Sequence, residues 1–253
     1  MKYDCLESKS VDILVLGGGY GTRLFGEPSL GVYVPKGLIS IGGQPAIERC
    51  LGSFKDERID RVIIETNNEG KIPYEEWLKT SGGEENMELF VESISTRDNC
   101  LGVLETINLT NKQYGFNKPV LLLAPDNLFT SPQTQIFDYG SSTNATILTY
   151  EVESIDQAKK YGVINLDGKT IVGCTEKPEN PYSKNIRTAC EIWTPKLFDK
   201  LEQWLTKGNS DRTGDFIGNL IKQGIQITSC PVNGKWIDIG SEEDLAEAQK
   251  IWG

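Results

Sequence analysis

The apolar run from Val11 to Leu16 ends directly in Gly17-Gly18-Gly19-Tyr20-Gly21, and no other feature narrows the fold of this chain as much. A short apolar run closed by glycines reads as a buried strand followed by a tight turn into a helix. Such a turn lets backbone N–H groups approach an anion without obstruction by Cβ. Three readings compete. A P-loop requires GxxxxGK[ST], and no Gly-Lys-Ser/Thr stands near the turn. A dinucleotide fingerprint requires GxGxxG with an acidic residue about twenty positions on. Here Gly17, Gly19 and Thr22 give GxGxxT, and the counterpart region, Val34-Pro35-Lys36, carries a cation. That cation, with Arg23 beside the turn, favours phosphate handling. The third reading is a turn that holds no ligand.

The rest of the chain continues the same pattern. Arg61 to Thr66, Leu89 to Ile94 and Pro119 to Ala124 read as strands; Pro45 to Leu51 and Tyr74 to Lys79 read as helices. Apolar strands spaced by helical segments fit a parallel sheet covered on both faces. In the second half, Thr146 to Val152, Gly162 to Leu166 and Thr170 to Thr175 alternate more strongly around turns such as Asp167-Gly168, which predicts antiparallel or mixed strands. Helices follow near Pro195 to Thr206 and Asp215 to Gln223, then a strand from Gln226 to Cys230. Ser241 with Asp244 predicts the cap of a last helix, with Leu245, Ala248 and Ile251 on one face. The expected fold class is α/β: a Rossmann-like mixed, mostly parallel sheet flanked by helices, with a small lobe in the second half. At 253 residues this is expected to be a single domain over 1–253, with halves 1–130 and 131–253.

Composition removes whole classes of chemistry. The chain has no histidine, which excludes Ser-His and Cys-His catalytic pairs and any histidine-containing metal site. Its net charge of −10 argues against nucleic acid and anionic membranes as partners. The six cysteines are too far apart for a CxxC cluster, and Cys174 and Cys190 read as small core residues. With no signal-like start and no long apolar run, the expectation is a soluble cytoplasmic protein.

The segment from Leu16 to Leu24 (LGGGYGTRL), followed by Pro35-Lys36, resembles the signature of sugar-phosphate nucleotidylyltransferases, also called nucleotide-sugar pyrophosphorylases. Four further segments are similar to that family in the right order: Ala124 to Phe129 (APDNLF), Tyr161 to Ile164 (YGVI) with Glu176-Lys177-Pro178, Asp211 to Leu220, and Trp236 to Ser241 (WIDIGS). The matches run from residue 12 to about 252. The resemblance implies magnesium-dependent transfer of a nucleotidyl group from an NTP to a sugar 1-phosphate, giving an NDP-sugar and pyrophosphate. It also implies that 1–130 binds the nucleotide and 131–253 the acceptor. Leu16, Gly17, Gly18, Gly19, Tyr20, Gly21 and Thr22 would hold the nucleotide phosphates, and Gly102 would pack under the base. Arg23 would stabilise the departing pyrophosphate, and Lys36 would bridge the α-phosphate and the attacking phosphate. Asp126 and Asp238 would hold Mg2+. Gly162, Glu176, Lys177, Arg187 and Glu191 would line the acceptor site. Relatives of this kind are often homo-oligomers.

Four departures bear on the substrate. Tyr20 replaces a small residue; the loop from Arg23 to Lys36 is longer than usual and would act as a lid; Ala124-Pro125 stands where a glycine precedes the aspartate; Glu191 replaces a glycine. The last motivates an alternative acceptor, a phosphorylated small alcohol, cyclitol or phosphonate receiving for instance a cytidylyl group. The stretch from Ile94 to Gly102 lacks the glutamine that often reads the base; Asn67, Asn68, Arg97 and Asn99 are spare polar groups with no assigned base partner. A second alternative is a catalytically silent nucleotide-binding regulatory subunit. A nicotinamide oxidoreductase ranks last.

Overall fold

The computed structural model describes residues 10–19, 33–80, 86–94, 100–139, 143–209 and 212–253. In chain order its strands are β1 Val11–Leu16, β2 Ser40–Ile41, β3 Gln44–Pro45, β4 Ile59–Thr66, β5 Met87–Val91, β6 Val120–Leu123, β7 Asn127–Phe129, β8 Ala145–Glu151, β9 Gly162–Asp167, β10 Thr170–Glu176, β11 Asn185–Trp193, β12 Ile227–Pro231 and β13 Trp236–Asp238. Its helices are α1 Ala46–Gly52, α2 Lys71–Thr80, α3 Val103–Tyr114, α4 Ile136–Tyr139, α5 Ile155–Ala158, α6 Lys196–Thr206, α7 Thr213–Lys222 and α8 Glu242–Trp252, with a 3-10 turn at Lys36–Leu38. The architecture is the expected mixed α/β, Rossmann-like class. No helix among the described residues is long and apolar enough to cross a membrane.

The chain forms two compact units that interleave in sequence. One contains Asp12–Leu101, Leu123–Gln133 and Asn233–Gly253; the other contains Gly102–Leu122 and Thr134–Val232. In the first, β5, β4 and β1 lie side by side, with β4 and β5 parallel and Val62 opposite Met87. Burial on both faces explains the largely apolar sequence of β1, in which Ile13, Leu14 and Val15 are fully enclosed; its one charged residue, Asp12, is buried as well and paired with Arg61. A small antiparallel sheet pairs β7 with β13, Asp238 opposite Asn127. Ile237 and Ile239 point into a core with Ile39, Ile41, Ala46, Leu128 and Ala248, packed by Leu245 and Trp252 of the last helix. Strand alternation then turns Asp238 to the opposite face. Ser241 caps that helix as expected, its Oγ accepting from the Asp244 N–H at 3.2 Å.

In the second unit the strand order is β6-β11-β8-β12-β10-β9, and β11 also pairs with β9. The β12–β8 pair is parallel; β10–β9, β11–β8 and β10–β12 are antiparallel. Trp193, fully buried, packs against Phe198 of α6 and Phe216 of α7. Among the described residues, Cys190 is fully buried and Cys174 partly so.

Candidate active site

The turn after β1 is held by Glu65, Asn67 and Tyr33. Gly17 N–H donates to the Glu65 carbonyl at 2.9 Å, and Gly18 N–H donates to Glu65 Oε2 at 3.2 Å. Asn67 Nδ2 donates to the Gly18 carbonyl at 2.6 Å, and the Tyr33 hydroxyl donates to that of Gly19 at 2.8 Å. Absence of side chains is a steric requirement here. A Cβ on Gly17 would lie 2.7 Å from the Tyr74 hydroxyl and 2.8 Å from the Glu65 carbonyl; one on Gly18 would lie 2.5 Å from Glu65 Oε1. Gly19 has open space around it. Burial pushes the Glu65 carboxyl up to about 8, the nearby Glu92 carboxylate adding to the shift and the Gly18 N–H opposing it. Burial likewise drives the Tyr74 phenol well above its ordinary range. Tyr74 also reaches the turn that carries Lys36, since a Cβ on Gly37 would meet its hydroxyl at 2.6 Å. Tyr20, Gly21, Thr22 and Arg23, and most of the lid expected between Arg23 and Lys36, lie outside the described residues.

Lys36, presented by that turn, places Nζ 3.0 Å from Asp126 Oδ2 and 3.1 Å from the Ile239 carbonyl. Asp126 stands between β6 and β7, and its carbonyl accepts from Ile239 N–H at 3.0 Å, so the end of β13 is tied to it. The two aspartates share a neighbour: Asn127 Nδ2 donates to Asp126 Oδ1 at 3.1 Å and to Asp238 Oδ1 at 3.4 Å. The amide orientation is fixed chemically, because indole Nε1 of Trp236 can only donate and lies 2.8 Å from Asn127 Oδ1. Two carboxylates at one place are what Mg2+ takes from protein when phosphate and water complete its shell. The donor set fits that ion.

The second unit holds a different cluster. In the sheet register Gly162 sits opposite Glu176 on one side and Arg187 on the other. An ion pair between Arg187 Nη1 and Glu176 Oε2 at 3.8 Å therefore passes over a residue with no side chain. A Cβ on Gly162 would press within 2.8 Å of the Arg187 stem. Arg187 Nη2 pairs with Glu191 Oε1, and Glu191 Oε2 accepts from Trp193 Nε1 at 2.7 Å. Burial alone would lower the Arg187 pKa; the Glu191 and Glu176 carboxylates outweigh it and hold it above its ordinary value. Glu176 also accepts from Gly214 N–H at 3.0 Å and, through its carbonyl, from Arg212. Lys177, next in sequence, has φ 45°, the one positive φ at a non-glycine among the described residues. Strained backbone of this kind often marks a functional position.

The structure thus gathers Lys36, Asp126 and Asp238 in one unit with the Gly17–Gly19 turn. It gathers Gly162, Glu176, Arg187 and Glu191 in the other. Gly102 precedes α3 as its N-cap residue, with Thr106 N–H on its carbonyl at 2.9 Å. Asn67 is not spare: buried, it holds Gly18 with its amide N–H and accepts from Glu69 and Gly70 N–H with its oxygen. Glu65, Tyr74, Asn127 and Trp236 were not singled out by sequence as partners of these groups. The polar run Glu65-Thr66-Asn67 closing an apolar strand was the signal available.

A family model described as nucleotidyl transferase matches residues 13–252. A UTP–glucose-1-phosphate uridylyltransferase of Haloferax volcanii is 26% identical over 242 residues, covering 94% of each chain. Other curated relatives are longer, and the chain spans 61%, 53% and 65% of three of them. A UDP-glucose pyrophosphorylase solved with UDP-glucose superposes with TM-score 0.76 at 22% identity, covering 96% of this chain and 98% of that one. An inositol-1-phosphate CTP transferase from T. maritima superposes with TM-score 0.75 at 16% identity, covering 97% and 96%. These two likenesses show the fold.

Proposed function

This chain belongs to the nucleotidyl transferase family, and we propose that it transfers a nucleotidyl group from an NTP to a sugar 1-phosphate, with Mg2+, releasing pyrophosphate. The observation that carries the reading is the array Lys36–Asp126–Asn127–Asp238, a cation and two carboxylates drawn together from three distant segments. The acceptor phosphate oxygen attacks the α-phosphorus, and the bond from that phosphorus to the bridging β-phosphate oxygen breaks. No covalent intermediate on the protein is required, which suits a chain without histidine. Catalysis then consists of positioning and charge stabilisation.

Asp126 and Asp238 would hold the magnesium, which neutralises phosphate charge when bound. Lys36 would give up its contact with Asp126 to meet the α-phosphate and the incoming acceptor phosphate. The N–H groups of Gly17 and Gly18 are already used on Glu65. Their part is to shape the turn, leaving phosphate contacts to Gly19 and the residues beyond it, Arg23 included. Gly102 keeps its proposed place under the base. Glu176 and Lys177 would bind the hydroxyls and the phosphate of the acceptor. Arg187, with two carboxylates on its guanidinium, acts as their scaffold in place of a phosphate contact.

A second reading, transfer to a cyclitol or other phosphorylated alcohol, draws on Glu191, whose buried carboxylate stands in the acceptor segment, and on the name of the T. maritima neighbour. One assay tests both: pyrophosphate release across five NTPs crossed with sugar 1-phosphates, inositol phosphates and phosphorylated alcohols. The expected result is one productive combination that Asp126→Ala abolishes. Pyrophosphate release that Asp126→Ala leaves undiminished overturns the reading. A blank panel accompanied by thermal stabilisation with an NTP would instead support a silent nucleotide-binding subunit.

A further inference from the structure

Asn127 and Trp236 form a pair that the reaction as proposed does not use. Asn127 is 2% exposed and sits directly opposite Asp238 in the β7–β13 register. Its amide donates to one oxygen of each aspartate. Its own oxygen is committed to Trp236, itself 6% exposed. Two carboxylates brought together repel each other, and an amide N–H2 has one hydrogen for each of them. Such a group fixes their separation without adding a positive charge that would compete with a metal. A flipped amide would instead present its oxygen to both carboxylates, and the Trp236 indole prevents that flip.

We infer that Asn127, oriented by Trp236, is a positioning residue that sets the Asp126 and Asp238 carboxylates for a divalent cation. This rests on the proposed metal-assisted reaction. Groups that orient metal ligands without touching the metal typically change metal affinity by about 10–100-fold when removed.

The test is Mn2+ titration of the full chain, alone and with each NTP, read by water-proton relaxation enhancement, beside a thermal melt of every variant. Wild type is expected to take up Mn2+, and Asp126→Ala to lose it. Asn127→Ala is expected to bind about 10–100-fold more weakly. Trp236→Phe, which keeps the amide but frees its orientation, is expected to fall between wild type and Asn127→Ala. A purely structural role would lower the melting temperature and leave the Mn2+ affinity of the folded protein unchanged, which overturns the inference. If Asn127→Ala does not fold, Trp236→Phe decides on the same criterion. Wild type that takes up no Mn2+, or uptake that survives Asp126→Ala, overturns the metal reading itself and this inference with it.

Discussion

Lys36 and Asp126, separated by 90 positions in sequence, meet with Nζ 3.0 Å from Oδ2, so an ammonium group rests on one of the proposed metal ligands. The same nitrogen lies 3.1 Å from the Ile239 carbonyl, beside the other aspartate. Two cations would thus compete for Asp126 until a phosphate draws the lysine away. Lys36→Met is expected to separate two quantities. Mn2+ affinity of the protein without nucleotide rises, because a like charge is gone. Turnover falls by roughly 10²–10³, the usual loss for one charge-stabilising donor. Metal titration and steady-state kinetics on one preparation check both; a fall in metal affinity contradicts the competition.

The glycine turn gives a graded series. Gly17→Ala drives a Cβ against a backbone carbonyl at 2.8 Å as well as the Tyr74 hydroxyl, and backbone cannot swing aside. Overpacking of this kind costs about 1–3 kcal/mol. For a chain of this size each kcal/mol lowers Tm by roughly 2–4 °C. Gly18→Ala meets the end of a side chain, Glu65 Oε1, and is expected to cost less. Gly19→Ala meets nothing and is expected to melt with wild type. Thermal melts of the three variants rank them; equal melting temperatures for Gly17→Ala and Gly19→Ala would contradict the packing described.

Glu65 makes stability depend on pH. Its folded pKa is about 8, above the ordinary 4.5 of an exposed glutamate, because burial disfavours the charged form. The folded state therefore binds more protons than the unfolded state between these values. This contribution is full below pH 4.5 and is lost as pH rises through 8, at up to about 1.4 kcal/mol per pH unit. Glu65→Gln keeps an oxygen for Gly18 N–H and cannot ionise. Urea unfolding at pH 5, 6.5 and 8 is expected to show a flatter profile for this variant than for wild type; parallel profiles would count against the assignment.

The Arg187–Glu191 pair is 10% and 2% exposed, and each partner depends on the other. Glu191→Gln leaves a buried guanidinium with Glu176 as its remaining carboxylate and is expected to cost about 3 kcal/mol, the lower end for a broken buried pair. Arg187→Met with Glu191→Gln together should cost less than the sum of the single changes, by up to about 3 kcal/mol. A double-mutant cycle from denaturant unfolding measures it, and strict additivity would show that the pair is not coupled.

Much of the fold was legible in the sequence. The strands at Val11–Leu16, Ile59–Thr66 and Val120–Leu123 announced themselves by their apolar stretches, Ile13 to Leu16, Val62 to Ile64 and Val120 to Leu123, and the last helix by its Ser241 cap. Helix Val103–Tyr114 did not, because its buried face mixes Leu104 and Ile107 with Thr106 and Thr110, which blurs the apolar period. Strands of three residues, such as Asn127–Phe129 and Trp236–Asp238, are too short to show any period. Lys36, Asp126 and Asp238 were legible by resemblance, but their partners depend on pairings such as Asn127 with Asp238, 111 positions apart. The Arg187–Glu191 contact was hidden for another reason. Four residues along a regular strand span about 13 Å, and only the bulge between Arg187 and Glu191, where the register against β8 shifts, lets the two meet.

The central claim is that the α-phosphate of an NTP is transferred with Lys36, Asp126 and Asp238 in attendance. Parallel reactions with α-labelled and γ-labelled NTP, Mg2+ and the productive acceptor test it most directly. The account requires the α-label to appear in the acceptor product and the γ-label in pyrophosphate, with both lost in Asp126→Ala. Transfer of the γ-label to the acceptor, or release of labelled products that Asp126→Ala leaves intact, would contradict it.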